Sequence, residues 1–213
     1  MRITTTVLVL TLCMMVLSSC ATLDKEECLT ADWYTIGFED GSKGYALNYL
    51  ANHRKACAEH GVTPNFDQYN LGHNKGTDSF CVPDRALRMA ADGHQFPLGC
   101  TTESYPQFAN AFKQGEQVFM AKQAVYDIEQ ALHDIENAIE ELKQQIEDNE
   151  AAIISDTTSR KERRQLLNDN KILQEDVEAL LIELVVLSER LNEKDYELRQ
   201  LLEHYGLTGL HFG

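Results

Sequence analysis

Beyond residue 106 the sequence contains neither proline nor cysteine. The second half of the chain therefore has no cross-link of its own and no residue that forces a helix to stop. Basic residues are scarce throughout: 19 Lys and Arg face 34 Asp and Glu, for a net charge of −15. Phosphate binding requires clustered Lys and Arg, so this balance argues against nucleic acid as a partner. Long apolar runs are missing as well. The longest, "VLVLTLCMMVL" at residues 7–17, has eleven residues. As a helix it crosses only about half of a hydrocarbon core roughly 30 Å thick. Also lacking are a nucleophile paired with a base, a paired-carboxylate motif, and the glycine spacings of dinucleotide and phosphate loops. The expectation is a protein with no catalytic residues, no cofactor and no resident metal.

What is present begins with a secretion signal. Arg2 supplies a basic start, the apolar run follows, and Ser18, Ser19 and Cys20 close it. This is the layout of a cleaved signal rather than of a membrane anchor. "LSSC" resembles a bacterial lipobox. The resemblance implies cleavage before Cys20 and a diacylglyceryl group on its sulfur, with more than one acyl chain needed for stable anchoring in the membrane. Ala21 stands where an Asp would resemble an inner-membrane retention signal, which points to the periplasmic face of the outer membrane. On this reading residues 1–19 are removed, Cys13 with them, and residues 20–27 form the tether.

Cys28, Cys57, Cys81 and Cys100 then remain. An even number in an oxidising compartment predicts two disulfides. The competing reading is zinc, because His53, Cys57 and His60 share one helix face at i, i+4 and i+7. Oxidation of periplasmic thiols favours the disulfides.

The head, residues 28–112, carries a repeated glycine motif. "YTIGFEDGSKGY" at Tyr34 aligns with "YNLGHNKGTDSF" at Tyr69, which matches Gly37 with Gly72 and Gly41 with Gly76. A weaker copy, "FANAFKQGEQVF" at Phe108, puts Ala111 and Gly115 in the glycine places. The aromatic and small positions fall on one helix face. Each interior glycine costs a helix roughly 0.5–1 kcal/mol relative to Ala. The expected return is a close approach of two helix backbones. Glu39 and Asp40 lie inside the motif, which rules against a membrane dimerisation face. A carbohydrate platform on Trp33, Tyr34, Tyr45 and Tyr69 is the functional alternative to core packing.

The ordered combination "C…ADWYTIGFEDGSKGY…C…GVTPNFDQYNLGHNKG…FC…C" resembles a bacterial lipoprotein family known only as a domain of unknown function, number 2799. The resemblance covers about Cys28 to Cys100 and brings no established activity and no catalytic residues to carry over. Disulfide pairing follows from helix geometry. If residues 33–59 form one helix, Cys28 and Cys57 lie on the order of 35 Å apart, whereas a disulfide needs Cα atoms within about 7 Å. Cys28 then pairs with Cys81 or Cys100. A helix break at Gly41 and Gly44 reopens the pairing with Cys57.

From Val118 the apolar residues step by three and four: Val118, Ala121, Val125, Ile128, Leu132, Ile135, Ile139, Leu142, Ile146 and, past a polar lapse at Asn149, Ile153. A second run extends from Leu166 through Asn170, Leu173, Val177, Leu180, Leu184, Leu187, Leu191, Lys194, Leu198 and Leu201 to Tyr205. Both are coiled-coil patterns. They are out of phase, and between them Ser159 and Glu162 form a capping box that starts a new helix. The prediction is an all-α protein: a small disulfide-linked helical head, then an antiparallel coiled-coil hairpin over residues 113–205, centred near residue 157, with an apolar tail at 206–213. A long helix dimerising in parallel is the alternative.

Arg160, Lys161, Arg163 and Arg164 form a basic tip that can pair with the acidic end of the first helix or meet an acidic partner. The functional expectation is a non-enzymatic envelope lipoprotein held by acyl chains at Cys20, with the coiled coil as spacer or as docking surface for an envelope protein. The alternative is a glycan- or peptide-binding module, or an enzyme, with an aromatic cleft in the head.

Overall fold

A computed structural model describes residues 22–208. The proposed signal, Cys20 and the last five residues of the tail lie outside them. Every regular element described is a helix: α1 Lys25–Leu29, α2 Trp33–Ser42, a 3-10 turn Leu47–Tyr49, α3 Leu50–Ala58, α4 Phe66–Phe80, α5 Pro83–Ala91, α6 Pro106–Ile154 and α7 Arg160–His204. Residues 22–86 and 95–111 form one compact unit, and residues 87–94 and 112–208 form another.

Local chemistry starts each helix. In α1, Asp24 accepts from the Glu27 amide and the Glu27 carboxylate accepts from the Asp24 amide, both at 2.8 Å, a complete capping box. Asp32 caps α2 by accepting from Tyr34 N and from the Thr35 hydroxyl. These hydrogen bonds to its charged form lower the Asp32 pKa, the Thr35 hydroxyl bond most of all. Asn65 caps α4, and Pro83 occupies the first position of α5, where no amide proton is needed.

The first unit corrects the disulfide expectation. Residues 33–59 are not one helix, because α2 stops at Ser42 and Gly44 takes a φ of 76°. That left-handed conformation suits glycine. The chain turns through the 3-10 segment into α3, which brings Cys57 back to Cys28. Cys28–Cys57 is therefore formed, with Cα atoms 5.4 Å apart, and Cys81–Cys100 at 5.6 Å. Cys28, Trp33, Leu50, Cys57 and Tyr69 make the core, with Leu23, Ile36, Leu47 and Val62 packed against them.

In the second unit α6 and α7 pack together as a hairpin. All positions of the two apolar runs in α6 and α7 are buried or half-buried, and Val118, Ile128, Ile139 and Asn170 are the most enclosed of the seam. The polar lapse has a partner: Asn149 Nδ2 donates to Asn170 Oδ1 at 2.7 Å, and Asn170 Nδ2 donates to Ile146 O. The midpoint of the Asn149–Asn170 pair falls near residue 160, so the register is shifted from the expected centre at 157. The reason lies in the turn. Thr158 Oγ1 donates to Ala152 O, and Arg163 donates to Thr158 O at 3.1 Å and to Ser155 O at 2.7 Å. Residues 155–159 thus fold back over the last carbonyls of α6 instead of forming a symmetric loop. At the other end Leu207 is buried with Ala91 and Val118, against Leu87, Leu198 and Leu201.

Candidate functional site

The glycine repeat builds the centre of the first unit. A Cβ on Gly37 would strike Tyr69 O, and one on Gly41 would strike His73 O; one on Gly72 would strike Tyr34 O, and one on Gly76 would strike Phe38 O. The contacts are reciprocal and their numbers rise together. Helices α2 and α4 therefore run parallel, with the two motif copies side by side in the register in which they align. The Cα–H that replaces each Cα–Cβ bond points at a carbonyl oxygen, a weak but repeated attraction. The third copy uses the same device elsewhere: Gly115 lies against Leu87 O and Ala90 of α5.

Two equivalent helices present equivalent faces, but the rest of the chain covers only one. Tyr69 and His73 of α4 are enclosed, whereas their counterparts Tyr34 and Phe38 are 36 % and 38 % exposed. On the covered side lies a buried polar cluster. Asp40 Oδ2 accepts from the Tyr69 hydroxyl at 2.7 Å and from His53 Nε2 at 2.7 Å. With the imidazole proton on Nε2, His53 Nδ1 accepts from the Thr22 hydroxyl at 3.0 Å. His73 Nε2 donates to Tyr45 O at 2.8 Å, which ties the turn after Gly44 to α4. Burial, then the Asp40 hydrogen bond, raises the Tyr69 phenol far above its ordinary value.

Hydroxyl, imidazole and carboxylate in sequence are the parts of a proton relay. A cavity of about 160 Å³ adjoins them, lined by Tyr45, Tyr49, Lys43 and Glu39 among others. Tyr45 and Tyr49 pack with ring centroids 4.4 Å apart. The same bonds have a structural consequence. They join α2, α3, α4 and the segment at Thr22, and they satisfy a buried carboxylate that would otherwise be costly.

The sequence-derived candidates are distributed as follows. Trp33 and Tyr69 belong to the core, so the carbohydrate platform is dismantled to Tyr34 and Tyr45 on its exposed parts. The zinc alternative fails because the Cys57 sulfur is in a disulfide and His53 is bonded to Asp40. At the tip Arg160, Lys161 and Arg164 are exposed, while Arg163 is turned into its own loop. The Asp40–His53–Thr22 cluster was missed by sequence reasoning. Its one signal was an acid three residues after Gly37 on a helix otherwise suited to burial.

No curated protein and no solved structure matches the chain. Residues 32–117, which contain both complete glycine motifs and Asp40, His53 and Tyr69 of the buried cluster, match the family described as "Protein of unknown function (DUF2799)".

Proposed function

We propose that the protein is a non-enzymatic, lipid-anchored adaptor of the bacterial envelope, with the hairpin as its docking arm. The observation that carries this reading is the arm itself. Helices of 49 and 45 residues, each about 70 Å long at 1.5 Å per residue, are zipped by one apolar seam. They are sealed at the turn by Arg163 and interrupted by the Asn149–Asn170 pair and by Lys194. A paired rod of this length gives reach. The lipobox at Cys20 supports anchoring, and the short spacing to Thr22, hydrogen-bonded to His53, supports a head held close to the membrane.

The second reading, ligand binding by the head, is favoured by the cavity beside Tyr45 and Tyr49. At about 160 Å³ it is well below the roughly 300–1,000 Å³ of ordinary small-molecule sites. Photoreactive residues placed at Lys161 and at Tyr49 of the full chain, in cells that process it, separate the two. Protein adducts at residue 161 and none at 49 support the arm; adducts confined to 49 overturn it.

A further inference from the structure

The distal end of the hairpin has a groove as well as charge. Between α6 and α7 lies a cavity of about 400 Å³ lined by Ile153, Ile154, Leu167, Asn170 and Lys171, with Glu150 on its α6 side. Ile154 is 79 % and Leu167 57 % exposed, although both are large aliphatic side chains. Arg160, Arg164, Leu167 and Lys171 follow one another at steps of four, three and four, so they form a single stripe on α7. Among the described residues no ion pair involves Arg160, Lys161 or Arg164, and Lys171 has only a 3.7 Å approach to its neighbour Glu175. In a chain of net charge −15, residues 160–164 carry four cations against one acid, a local reversal of sign beside an apolar groove whose own charged lining residues are Glu150 and Lys171.

We propose that this groove receives an acidic amphipathic helix of a protein partner, with aliphatic side chains on Ile154 and Leu167 and carboxylates on Arg160, Arg164 and Lys171. The inference rests on the reading of the hairpin as a docking arm and names the chemistry of what docks. Charge complementarity selects an anionic occupant. The shape selects a helix, since a third helix laid along the two covers both exposed aliphatics at i, i+3 and i+4 anchors. Asp156 and Glu162 at the end of the turn oppose a flat anionic bilayer, whereas a helix in the groove passes beside them.

The test titrates the purified full chain into a fluorescein-labelled helical peptide with leucine at alternating three- and four-residue steps and glutamate on both flanks. Two control peptides carry lysine for glutamate, or alanine for leucine. The acidic leucine peptide is expected to bind at least about 10-fold tighter than either control, and more weakly as salt rises. Arg160→Glu with Arg164→Glu, and separately Leu167→Gln, each weaken it about 10-fold or more, while Lys143→Glu, outside the groove, does not. Unchanged helical circular dichroism confirms that the variants fold. Equal binding of the three peptides, or indifference to the tip variants, overturns the proposal. So does sedimentation of the chain with phosphatidylglycerol vesicles, or dimerisation of the chain, if either is lost in Leu167→Gln while the acidic peptide does not bind. Protein adducts at residue 161 without peptide binding leave the arm standing and remove the acidic helix; adducts at residue 49 alone remove the arm itself.

Discussion

Replacing Gly72 with alanine adds one methyl group where the structure leaves no room. An ideal Cβ there would lie 2.8 Å from the Tyr34 carbonyl carbon and 3.0 Å from Phe38 N, closer still to Tyr34 O. These are backbone atoms locked in α2, so no rotamer change relieves the clash. The helices must part by about 1 Å, which loosens the matching contacts at Gly37, Gly41 and Gly76 together. Overpacking of this kind typically costs about 1–3 kcal/mol. Helix propensity returns about 1 kcal/mol, leaving a net loss of up to about 2 kcal/mol. For a unit of this size each kcal/mol is worth about 4–8 °C, so the midpoint should fall by up to about 15 °C.

Trp33 is the only tryptophan and is buried in the same core, so its fluorescence on heating reports this unit and not the arm. The double variant Gly37→Ala with Gly72→Ala should lose less than the sum of the singles, since helices already parted accommodate the second methyl. A raised midpoint for Gly72→Ala, or strict additivity in the double variant, refutes the interlock.

Cysteines at Asn149 and Asn170, with Cys28, Cys57, Cys81 and Cys100 replaced by serine, should close an intramolecular disulfide seen as faster migration on non-reducing electrophoresis; crosslinked dimers instead would restore the parallel alternative. Asn170→Leu alone should destabilise the arm by about 1–3 kcal/mol because Asn149 loses its buried partner, whereas leucine at both positions should recover or exceed wild-type stability by thermal circular dichroism. Alkaline stability follows from the tyrosines. Burial, then the Asp78 hydrogen bond, raises Tyr105 to about 12, and Tyr69 is raised further. Both phenols ionise near 10 in the unfolded chain. Their contribution is complete below pH 10 and is lost as pH rises through 12, so denaturant midpoints should fall over that range, less steeply in Tyr69→Phe. Arg163→Ala should loosen the turn and lower the arm's melting midpoint, while Arg164→Ala should leave it unchanged; equal effects would contradict the separate roles of the two arginines.

The long helices were legible because the heptad steps recur for ten turns or more in each and nothing between Glu116 and Tyr205 is a glycine or a proline. Ser159 announced the second helix by its own side chain, and it accepts from Glu162 N at 3.2 Å, one half of the expected capping box. The glycine repeat was legible as packing because three small positions at helical spacing have few other uses. The register of the hairpin was not, because Arg163 spends its guanidinium on the carbonyls of the turn, a bond that local pattern does not encode.

By itself, then, the sequence determined that the chain is helical, that it has a cysteine-bearing part and a zipped part, and that two motif copies are equivalent. All of this is periodicity and composition, which are properties of neighbours along the chain. Tertiary structure alone decided which copy would be covered. Tyr34 and Tyr69 are the same residue in the same motif, yet one meets solvent and the other donates to Asp40 in the core. The reason is the break at Gly44. It turns α3 back across one face of the α2–α4 pair, carries Cys57 to Cys28 and His53 to Asp40, and leaves the opposite face open, a choice made by contacts between residues far apart in the chain.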